Sequence, residues 1–398
     1  MKPDLLRCKR KGFRLFAEAL FTLSGTVTTV VILLIILFLF KEGAGLFRSN
    51  EVEKGYSLCV HASSPVERLS PAQIKQIFDY ETEWIPFRLE DLFDRYSEEE
   101  LGKDYALLPG KLGEEITKEP KLVAFVPTQY VPTGLPTVRV LPGSRIGWLR
   151  FFGGKEWMPT ATPAPLFGVL PLLLGTLWVS LFAILIALPL GLGATVYLSE
   201  LAGEKMRRLL KPAIELLAGI PSVVYGFFGL VVLVPFLQRT GGLPVGETAL
   251  AGSLILAIMA LPTIITVAED AMRNTPKALR EASLALGATR WQTIYRVVFP
   301  ASVSGISAAI VLGIGRAVGE TMAVLMVTGN AAVMPSSLLE PVRTIPATIA
   351  AELGEAPAGG AHYQALFMLG CILFLITLLI STAAEIISGK SFYNKKGI

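Results

Sequence analysis

Residues 275–300 read TPKALREASLALGATRWQTIYRVVFP, a pattern that predicts two short helices separated by a sharp corner. Pro276 suits the first turn of a helix, and Gly287 suits the left-handed position that ends one. Thr289 and Gln292 have the spacing of a capping box, which starts a second helix. Pro300 is expected to end that helix. The stretch therefore predicts a helix-turn-helix rich in basic residues, which suits either interfacial anchoring or docking to a partner protein.

Six apolar segments around this stretch are long enough to cross a bilayer, which takes about 20 residues. They lie at 16–40, 168–198, 212–237, 249–271, 303–328 and 365–387. The 398-residue chain is 52% hydrophobic and only 17% charged, which excludes a disordered chain and a cytosolic enzyme. The first segment is too long for a signal-peptide core, so an uncleaved membrane helix is expected.

Basic residues cluster in alternate loops, which the positive-inside rule places in the cytoplasm. These residues are Lys2, Arg7, Lys9, Arg10, Lys11, Arg14, Lys205, Arg207, Arg208, Lys211, Arg273, Lys277, Arg280, Arg290, Arg296, Lys390, Lys395 and Lys396. The short loops on the other side carry one basic residue each, Arg239 and Arg343. Both termini and the helix-turn-helix are therefore predicted to be cytoplasmic.

Residues 44–165 form a long segment outside the membrane, with 14 basic and 17 acidic residues. Ser70, Pro71 and Gln73 have the pattern of an N-cap, a first-turn proline and a capping box. The expected elements are a strand at 57–60, helices at 70–80 and 89–101, and strands at 121–126 and 137–141. The segment is predicted to be a small mixed α/β domain.

The fifth span carries two charged residues, Arg316 and Glu320, one helical turn apart. An arginine near the middle of a span costs about 2.5–3.5 kcal/mol, so it faces a bundle interior or a polar cavity. Either the two residues form a buried pair that fixes helix packing, or Arg316 presents a cation to a passing anion beside Glu320 and Thr321. Gly315 and Gly319 form a stripe of small residues that allows another helix to approach closely.

Other features of the sequence are weaker indications of function. Pro221 and Ser222 interrupt the third span, as a kink or as part of a gate. No catalytic carboxylate pair, nucleophile motif or metal-ligand cluster is found, so no catalytic or metal site is predicted. Leu149 and Ala384 stand where a Walker A motif needs glycine before Gly154-Lys155 and Gly389-Lys390. ATP hydrolysis is therefore expected from another polypeptide.

The loop at 275–300 resembles the EAA loop of ABC importer permeases. Glu281-Ala282-Ser283 stands where that family has Glu-Ala-Ala, Gly287 follows at the family spacing, and Pro300 closes the motif. Ser283, Val297 and Phe299 depart conservatively from the family pattern. The resemblance implies a coupling helix that sits in a cleft of an ATP-binding subunit. It also implies that Glu281 and Gly287 hold the loop geometry, and that Ala282 must stay small.

Residues from about 150 to 398 resemble phosphate ABC importer permeases of the PstC type. The resemblance is carried by the stretches at 167–171, 215–226 and 319–324, which read FGVLP, ELLAGIPSVVYG and GETMAV. It implies an all-α polytopic membrane protein with six transmembrane helices, a five-helix type I ABC importer core and the α/β insertion. The implied regions are 1–43 with the first span, the periplasmic insertion 44–165, and the permease domain 166–398.

The same resemblance implies a function and partners. The chain would be the permease subunit of an importer that moves inorganic phosphate across the bacterial inner membrane by alternating access. Its partners would be a PstA-like sister permease, a dimer of PstB-like ATP-binding subunits that hold ATP and Mg, and a PstS-like periplasmic phosphate-binding protein. No cofactor and no nucleic acid are expected on this chain. A permease for sulfate, molybdate or phosphonate stays open, as does a membrane receptor that senses through the external domain.

Overall fold

The computed structural model describes residues 3–53, 55–132, 134–143 and 145–393. Lys2, Lys395 and Lys396, which belong to the basic clusters predicted to be cytoplasmic, lie outside these residues. The chain opens with a long helix, α1 (Pro3–Gly45), which ends in a 3₁₀ turn at Leu46–Arg48. Its apolar side chains between Leu20 and Phe40 are largely exposed, as expected for a helix that faces lipid.

A mixed α/β domain follows α1, as predicted. Its elements are β1 (Tyr56–His61), α2 (Pro71–Phe78), β2 (Ile85–Arg88), α3 (Leu89–Arg95), α4 (Glu98–Leu101), α5 (Leu108–Lys118), β3 (Leu122–Pro127) and β4 (Val138–Val140). The sheet order is β2-β3-β1-β4, with β1 antiparallel to β3 and β4, and β2 parallel to β3. The capping box of α2 is formed as predicted. The helix predicted at 89–101 is broken, because Tyr96 adopts an extended conformation.

The alternation of side chains along β1 gives the domain two cores. Leu58 and Val60 point to the face covered by α2, whereas Cys59 points to the face covered by α3 and α5. The segments that enter and leave the domain run side by side. Asn50 forms a bridge with Arg145, and the Ile146 amide donates to the Ser49 carbonyl at 3.2 Å. The two ends of the inserted segment therefore lie side by side.

The chain then returns to the membrane. The remaining elements are α6 (Trp148–Gly153), β5 (Trp157–Met158), β6 (Leu166–Phe167), α7 (Leu170–Val196), α8 (Glu204–Ala218), α9 (Ser222–Phe228), α10 (Val234–Gly241), α11 (Ala249–Arg273), α12 (Lys277–Ala285), α13 (Arg290–Thr293), α14 (Phe299–Ala301), α15 (Val303–Gly319), α16 (Met322–Val327), α17 (Ile345–Glu352) and α18 (Ala361–Tyr393). Single π-helical turns at 197–201, 229–233 and 294–298 extend α7, join α9 to α10 and join α13 to α14.

Within the described residues, five helices are long and apolar enough to cross a membrane, or six if the bent pair Arg290–Ala301 and Val303–Gly319 is one span. Two predicted spans need correction. The third, placed at 212–237, begins only at Ser222, because Pro221 separates it from the amphipathic helix α8. The fifth, placed at 303–328, ends at Gly319, because Glu320 is extended and α16 starts a new helix.

Helix α11 is the centre of the membrane part. It packs against α7 on one side and α15 on the other, with Ile264 between two glycines. A Cβ on Gly191 would lie 3.0 Å from Ile264 Cγ2, and one on Gly313 would lie 2.7 Å from Ile264 Cγ1. These contacts show the close helix approach that small residues permit in membranes. Helix α1 packs mainly on α18, which places the first span at the periphery of the bundle.

Candidate translocation site and coupling loop

The helix break after α15 is the most unusual backbone feature of the membrane part. Glu320 has φ −71° and ψ 133°, and Thr321 then leads into α16. A break of this kind frees backbone N–H and C=O groups from helical pairing. In lipid such groups are tolerated only where they are buried in protein or line a polar cavity. The predicted helical-turn relation between Arg316 and Glu320 is therefore absent.

A cavity of about 510 Å³ opens beside this break. One wall is the break itself, with Gly319 and Thr321, and another is helix α17 with the turn that follows it. The complete lining is Gly319, Thr321, Pro346, Ile349, Ala350, Leu353, Gly354 and Leu373. The four positions 346, 349, 350 and 353 share one stripe of the α17 helix and its continuation. Thr321, predicted as a path residue, therefore lies at a cavity wall.

Arg316 is held by a neutral partner rather than by a carboxylate. Its Nη1 donates to the Thr263 hydroxyl on α11 at 3.2 Å, and its side chain is half-buried. No ion pair between Arg316 and Glu320 occurs in the described part of the chain, which contradicts the expected pairing. The guanidinium has five N–H donors, so most of them have no side-chain partner among the described residues. A planar cation with free donors is suited to binding an oxyanion through two oxygens.

The predicted glycine stripe makes no close contact in the part of the chain that the structure describes. Apart from the backbone of its own helix, no described atom lies within 4 Å of a Cβ placed on Gly315 or Gly319. Close packing is carried instead by Gly226 and Gly229, which sequence reasoning did not single out as packing positions. A Cβ on Gly226 would lie 3.0 Å from Ala323 Cα, and one on Gly229 would lie 2.7 Å from Val327 Cγ1. The third span and α16 thus press directly against each other.

Pro221 and Ser222 mark a full break rather than a kink. Helix α8 ends at Ala218, and α9 starts at Ser222 with Pro221 in the N-cap position. The Tyr225 hydroxyl donates to the Leu217 carbonyl at 2.8 Å and bridges the gap. The same carbonyl also accepts from the Ile220 amide at 3.2 Å, so two hydrogen bonds connect the last turn of α8 to the residues that follow it. The break therefore has a fixed geometry.

The loop at 275–300 folds as two helices with a corner, as predicted. Gly287 has φ +84°, the left-handed conformation that favours glycine. Thr289 and Gln292 form the predicted capping box at the start of α13. The hydroxyls of Ser283 and Thr293 lie 3.0 Å apart and join the two helices. Pro300 lies in α14, and the chain bends by 71° between residues 301 and 303.

Arg280 attaches this loop to the membrane helices, and the sequence analysis did not identify it as a site residue. Its Nη2 donates to Glu200 at 2.8 Å and to the Met272 carbonyl at 2.7 Å, and Nη1 donates to the Thr275 carbonyl at 3.1 Å. Glu200 follows α7 and Met272 lies near the end of α11. No periodic pattern predicts a pair 80 residues apart.

The outward surface of the loop is exposed and carries several large apolar side chains. Glu281 and Ala282 are both exposed, and no ion pair of Glu281 occurs among the described residues. Arg280 and Ser283 make side-chain hydrogen bonds that hold the loop, and the expected role of Glu281 stays a prediction. The large apolar side chains that face solvent here are Leu279, Leu284, Leu286, Trp291 and Tyr295, of which Leu286 is 89% exposed. Such a patch indicates a surface that contacts either another protein or the membrane interface.

A buried carboxylate connects α8 to the base of α11. Glu269 is 1% exposed and accepts from Lys211 Nζ at 2.7 Å and from Arg207 Nη2 at 2.5 Å. The hydrogen bond to Glu269 raises the pKa of Lys211. A buried charge of this kind is tolerated because it is paired and hydrogen-bonded. Helix α8 is thus fixed to the same end of α11 that carries the coupling loop.

No group of three or more potential metal ligands occurs in the described residues. The features that remain are a broken helix beside a cavity, an arginine with free donors, and a docking loop fixed to two spans. They fit a transport path and a connection to a separate partner better than they fit a catalytic site.

Comparisons with known proteins agree with this geometry. The profile described as "Binding-protein-dependent transport system inner membrane component" matches residues 187–391. The "Probable ABC transporter permease protein YqgH" of Bacillus subtilis is 42% identical over 231 residues, or 58% of this chain and 74% of that protein. The "Phosphate transport system permease protein PstC" of Mesorhizobium japonicum is 42% identical over 254 residues, or 59% of this chain and 76% of that protein.

More distant similarities extend the same comparison. The "Phosphate transport system permease protein PstC 1" of Mycobacterium bovis is 35% identical over 283 residues, covering 62% of this chain and 84% of that protein. A solved structure of the MetNI methionine ABC transporter in an inward-facing conformation has a chain that is 21% identical, with a TM-score of 0.44, covering 55% of this chain and 93% of that one. The matched region contains the coupling loop, Arg316 and the helix break, and the chain belongs to the family of binding-protein-dependent transport system inner membrane components, the permeases of ABC importers.

Proposed function

We propose that this chain is the permease subunit of an ATP-driven importer of inorganic phosphate. The observation that carries the proposal is Arg316, whose side chain bonds only to the neutral Thr263 hydroxyl in the described residues. A cation of this kind beside an unwound helix lowers the cost of moving an anion through a low-dielectric path. The relatives named as phosphate transport permeases support phosphate as that anion.

The coupling loop supports an ATP-driven mechanism in which the energy comes from a partner. The exposed apolar side chains of α12 and α13 would dock in a cleft of an ATP-binding subunit, which holds ATP and Mg. Closure of two such subunits would move the loop, and the Arg280–Glu200 contact would carry the movement to α7 and α11. The path between this chain and a sister permease would then open alternately to the two sides.

The placement of charge supports an orientation with the coupling loop in the cytoplasm. Arg207 and Lys211 of α8 and Arg273 at the end of α11 all pair with Glu269, on the side of α11 that leads into this loop. The mixed α/β domain would then lie in the periplasm, above the cavity. A periplasmic phosphate-binding protein would deliver the substrate on that side, across the bacterial inner membrane.

Two alternatives remain distinct from phosphate import. An importer of sulfate, molybdate or phosphonate would use the same guanidinium, because all these ligands present several oxygens. A membrane receptor would sense a ligand through the external domain and would have no need of a path beside Arg316. The free donors of Arg316 and the exposed coupling loop favour transport.

Competition uptake tests the proposal. The chain is expressed with its neighbouring transporter subunits in cells that lack phosphate importers, and uptake of labelled phosphate is followed with excess sulfate, molybdate or phosphonate. We expect ATP-dependent phosphate uptake that excess sulfate leaves unchanged. Inhibition by another oxyanion would assign the path to that oxyanion. Correct assembly without uptake of any of them would favour the receptor.

A further inference from the structure

Glu352, the last residue of α17, joins three separate parts of the outer face of the protein. Arg343 Nη1 donates to its Oε1 at 2.6 Å, and Trp157 Nε1 donates to its Oε2 at 3.0 Å. His362 Nε2, in the first turn of α18, lies 2.9 Å from Oε2. Burial raises the pKa of Glu352, but hydrogen bonds from His362 and Trp157 and the charge of Arg343 outweigh it and leave the pKa lowered. The carboxylate is therefore the charged centre of a four-residue cluster.

This cluster fixes the helix that forms a wall of the cavity. Ile349 and Ala350, in the last turns of α17 before Glu352, line the cavity opposite Thr321. The start of α17 is also fixed, because the Ile345 amide donates to the Thr176 hydroxyl of α7 at 2.9 Å. The position of α17, and with it the width of the cavity, therefore depends on contacts at both ends of one short helix.

The same cluster is connected to the external domain. Lys75 of α2 donates to Glu156 at 2.7 Å, and Glu156 directly precedes Trp157. The β5–β6 hairpin that carries both residues is tightly closed, since a Cβ on Gly154 would lie 2.6 Å from Gly168 Cα. A rigid hairpin transmits displacement instead of absorbing it. The contacts thus run without a gap from α2 through the hairpin to Glu352.

We propose that Glu352 is a positioning residue that holds α17 at the cavity beside Thr321, and that Lys75, Glu156 and Trp157 transmit movements of the external domain to it. The inference rests on the proposed function, since it assigns a role in transport to this cavity. A partner that docks on the external domain and displaces α2 would pull on the hairpin and shift α17. The external domain would thereby regulate access to the path from a distance.

Two substitutions break the connection at different places. Trp157→Phe removes the Nε1–H donor to Glu352 and keeps an aromatic ring against Phe167. Lys75→Met removes the ion pair with Glu156. The side chains of Lys75 and Glu156 are 31% and 52% exposed, so the substitution gives the membrane part no reason to misfold. Lys121→Met is the matched control, because Lys121 pairs with Glu83 in the same domain without contacting the hairpin.

The readout is the motion of α17 itself. A spin label on Ala350→Cys, an exposed position on the cavity wall, is followed in the assembled complex with Cys8 replaced by serine. The two native cysteines at 59 and 371 are buried. We expect a more mobile label in Trp157→Phe and in Lys75→Met, and an unchanged one in Lys121→Met. Unchanged spectra in both test variants would overturn the proposal.

Transport gives a second readout on the same variants. We expect the number of substrate molecules taken up per ATP hydrolysed to fall about threefold in Trp157→Phe and Lys75→Met, with wild-type melting temperatures. A change in melting temperature at a constant ratio would show a purely structural role and overturn the inference. The mobility of the spin label can be measured whatever substrate the complex transports. A wild-type complex that fails to take up phosphate would therefore contradict the proposed function alone.

Discussion

At the scale of single residues, Arg316 is unusual because its hydrogen-bonding partner carries no charge. Thr263 fixes the guanidinium at 3.2 Å but leaves its charge uncompensated by a side chain. A buried salt bridge would have satisfied the arginine and removed its affinity for an anion. The proposed anion path requires such a positive side chain near the helix break.

This arrangement predicts the behaviour of Arg316 variants. Arg316→Ala should reduce phosphate uptake at least tenfold, because a hydrogen bond to a charged group contributes about 1.5–3 kcal/mol. Arg316→Lys, the matched control, keeps the charge but loses the planar fork and should retain part of the uptake. Uptake in membrane vesicles and ATP hydrolysis by the purified complex are measured together. Normal uptake by Arg316→Ala with intact assembly would rule out the anion path.

The sequence could identify Arg316 but not its environment. An arginine inside an apolar segment is visible in any sequence, and its cost in lipid marks it as functional. Its partner, Thr263, lies 53 positions away on another helix, and a neutral threonine has no distinguishing sequence signal. Glu320 was wrongly paired with Arg316, because helical spacing applies only while the helix continues, and α15 ends at Gly319.

Glu115 in the external domain predicts a pH effect on stability. A hydrogen bond from Lys118 has the largest effect and lowers the pKa of this carboxyl group. Burial acts in the opposite direction, but hydrogen bonds from Tyr96 and Arg95 lower the pKa further. A lowered pKa in the folded state contributes stability above the ordinary value near 4.3, and this contribution is lost as the pH falls through the lower folded value. The Glu115 side chain is only 7% exposed, whereas its partners Lys118 and Arg95 are 61% and 50% exposed, so solvent screens part of the attraction.

Glu115→Gln should therefore destabilise the domain at neutral pH by about 1.5–3 kcal/mol. The difference from the wild type should shrink as the pH falls below about 4. Hydrogen exchange of the backbone amides of α5 and β3 in the full chain measures the free energy of opening. The exposed neighbour Glu114, which pairs with Lys111, is the control, and its Gln variant should behave as the wild type. A pH-independent difference would contradict the electrostatic explanation.

At the scale of elements, the corner between α12 and α13 depends on one glycine. Gly287 has φ +84°, and a Cβ placed on it would have no neighbour within 4 Å among the described residues, apart from the two adjacent in the chain. The backbone conformation, and not a lack of space, therefore restricts which residue can stand at this position. A non-glycine residue in the left-handed region costs about 1–2 kcal/mol, and asparagine tolerates it better than most. Proline cannot adopt it, because its ring fixes φ near −65°.

Gly287→Pro should consequently disrupt the loop, whereas Gly287→Asn should preserve it. We expect Gly287→Pro to lose co-purification with the ATP-binding subunits or to lose ATP-dependent uptake, and Gly287→Asn to stay within about twofold of the wild type. Pull-down through a tag on this chain, followed by uptake, measures both. A Gly287→Pro variant that retains its partner and transports normally would contradict the docking role of the loop.

Sequence patterns predicted this loop well and the broken spans poorly. Caps and left-handed glycines act over three or four residues, so the start of α13 and the corner at Gly287 are predictable from local sequence. The breaks at Pro221 and Glu320 lie inside apolar runs, where composition resembles that of a continuous span. Strand β2 and helix α5 were missed for a related reason, since their short patterns are completed only by packing on the sheet.

At the scale of the whole molecule, the external domain is an insertion with adjacent ends. The chain leaves the membrane part near Asn50 and returns at Arg145, and these residues form a β-bridge. Removing an insertion with adjacent ends leaves the fold of the rest with little strain, because a short linker can close the gap. The membrane core around α11 contains its own buried cluster, which does not involve the domain.

A variant in which a short Gly/Ser linker replaces residues 53–142 should therefore insert and assemble with its partners. It loses the Lys75–Glu156 contact, so its uptake should fall only as far as that of Lys75→Met, about threefold. A receptor that senses through the domain would instead lose all function in the same variant. Assembly is checked by co-purification. Uptake is measured at saturating binding protein, so that weaker docking of the binding protein does not lower the measured uptake. Because Arg316 and the cavity lie outside the deleted residues, complete loss of uptake by an assembled complex would mean that the external domain, and not the membrane path, carries the specificity.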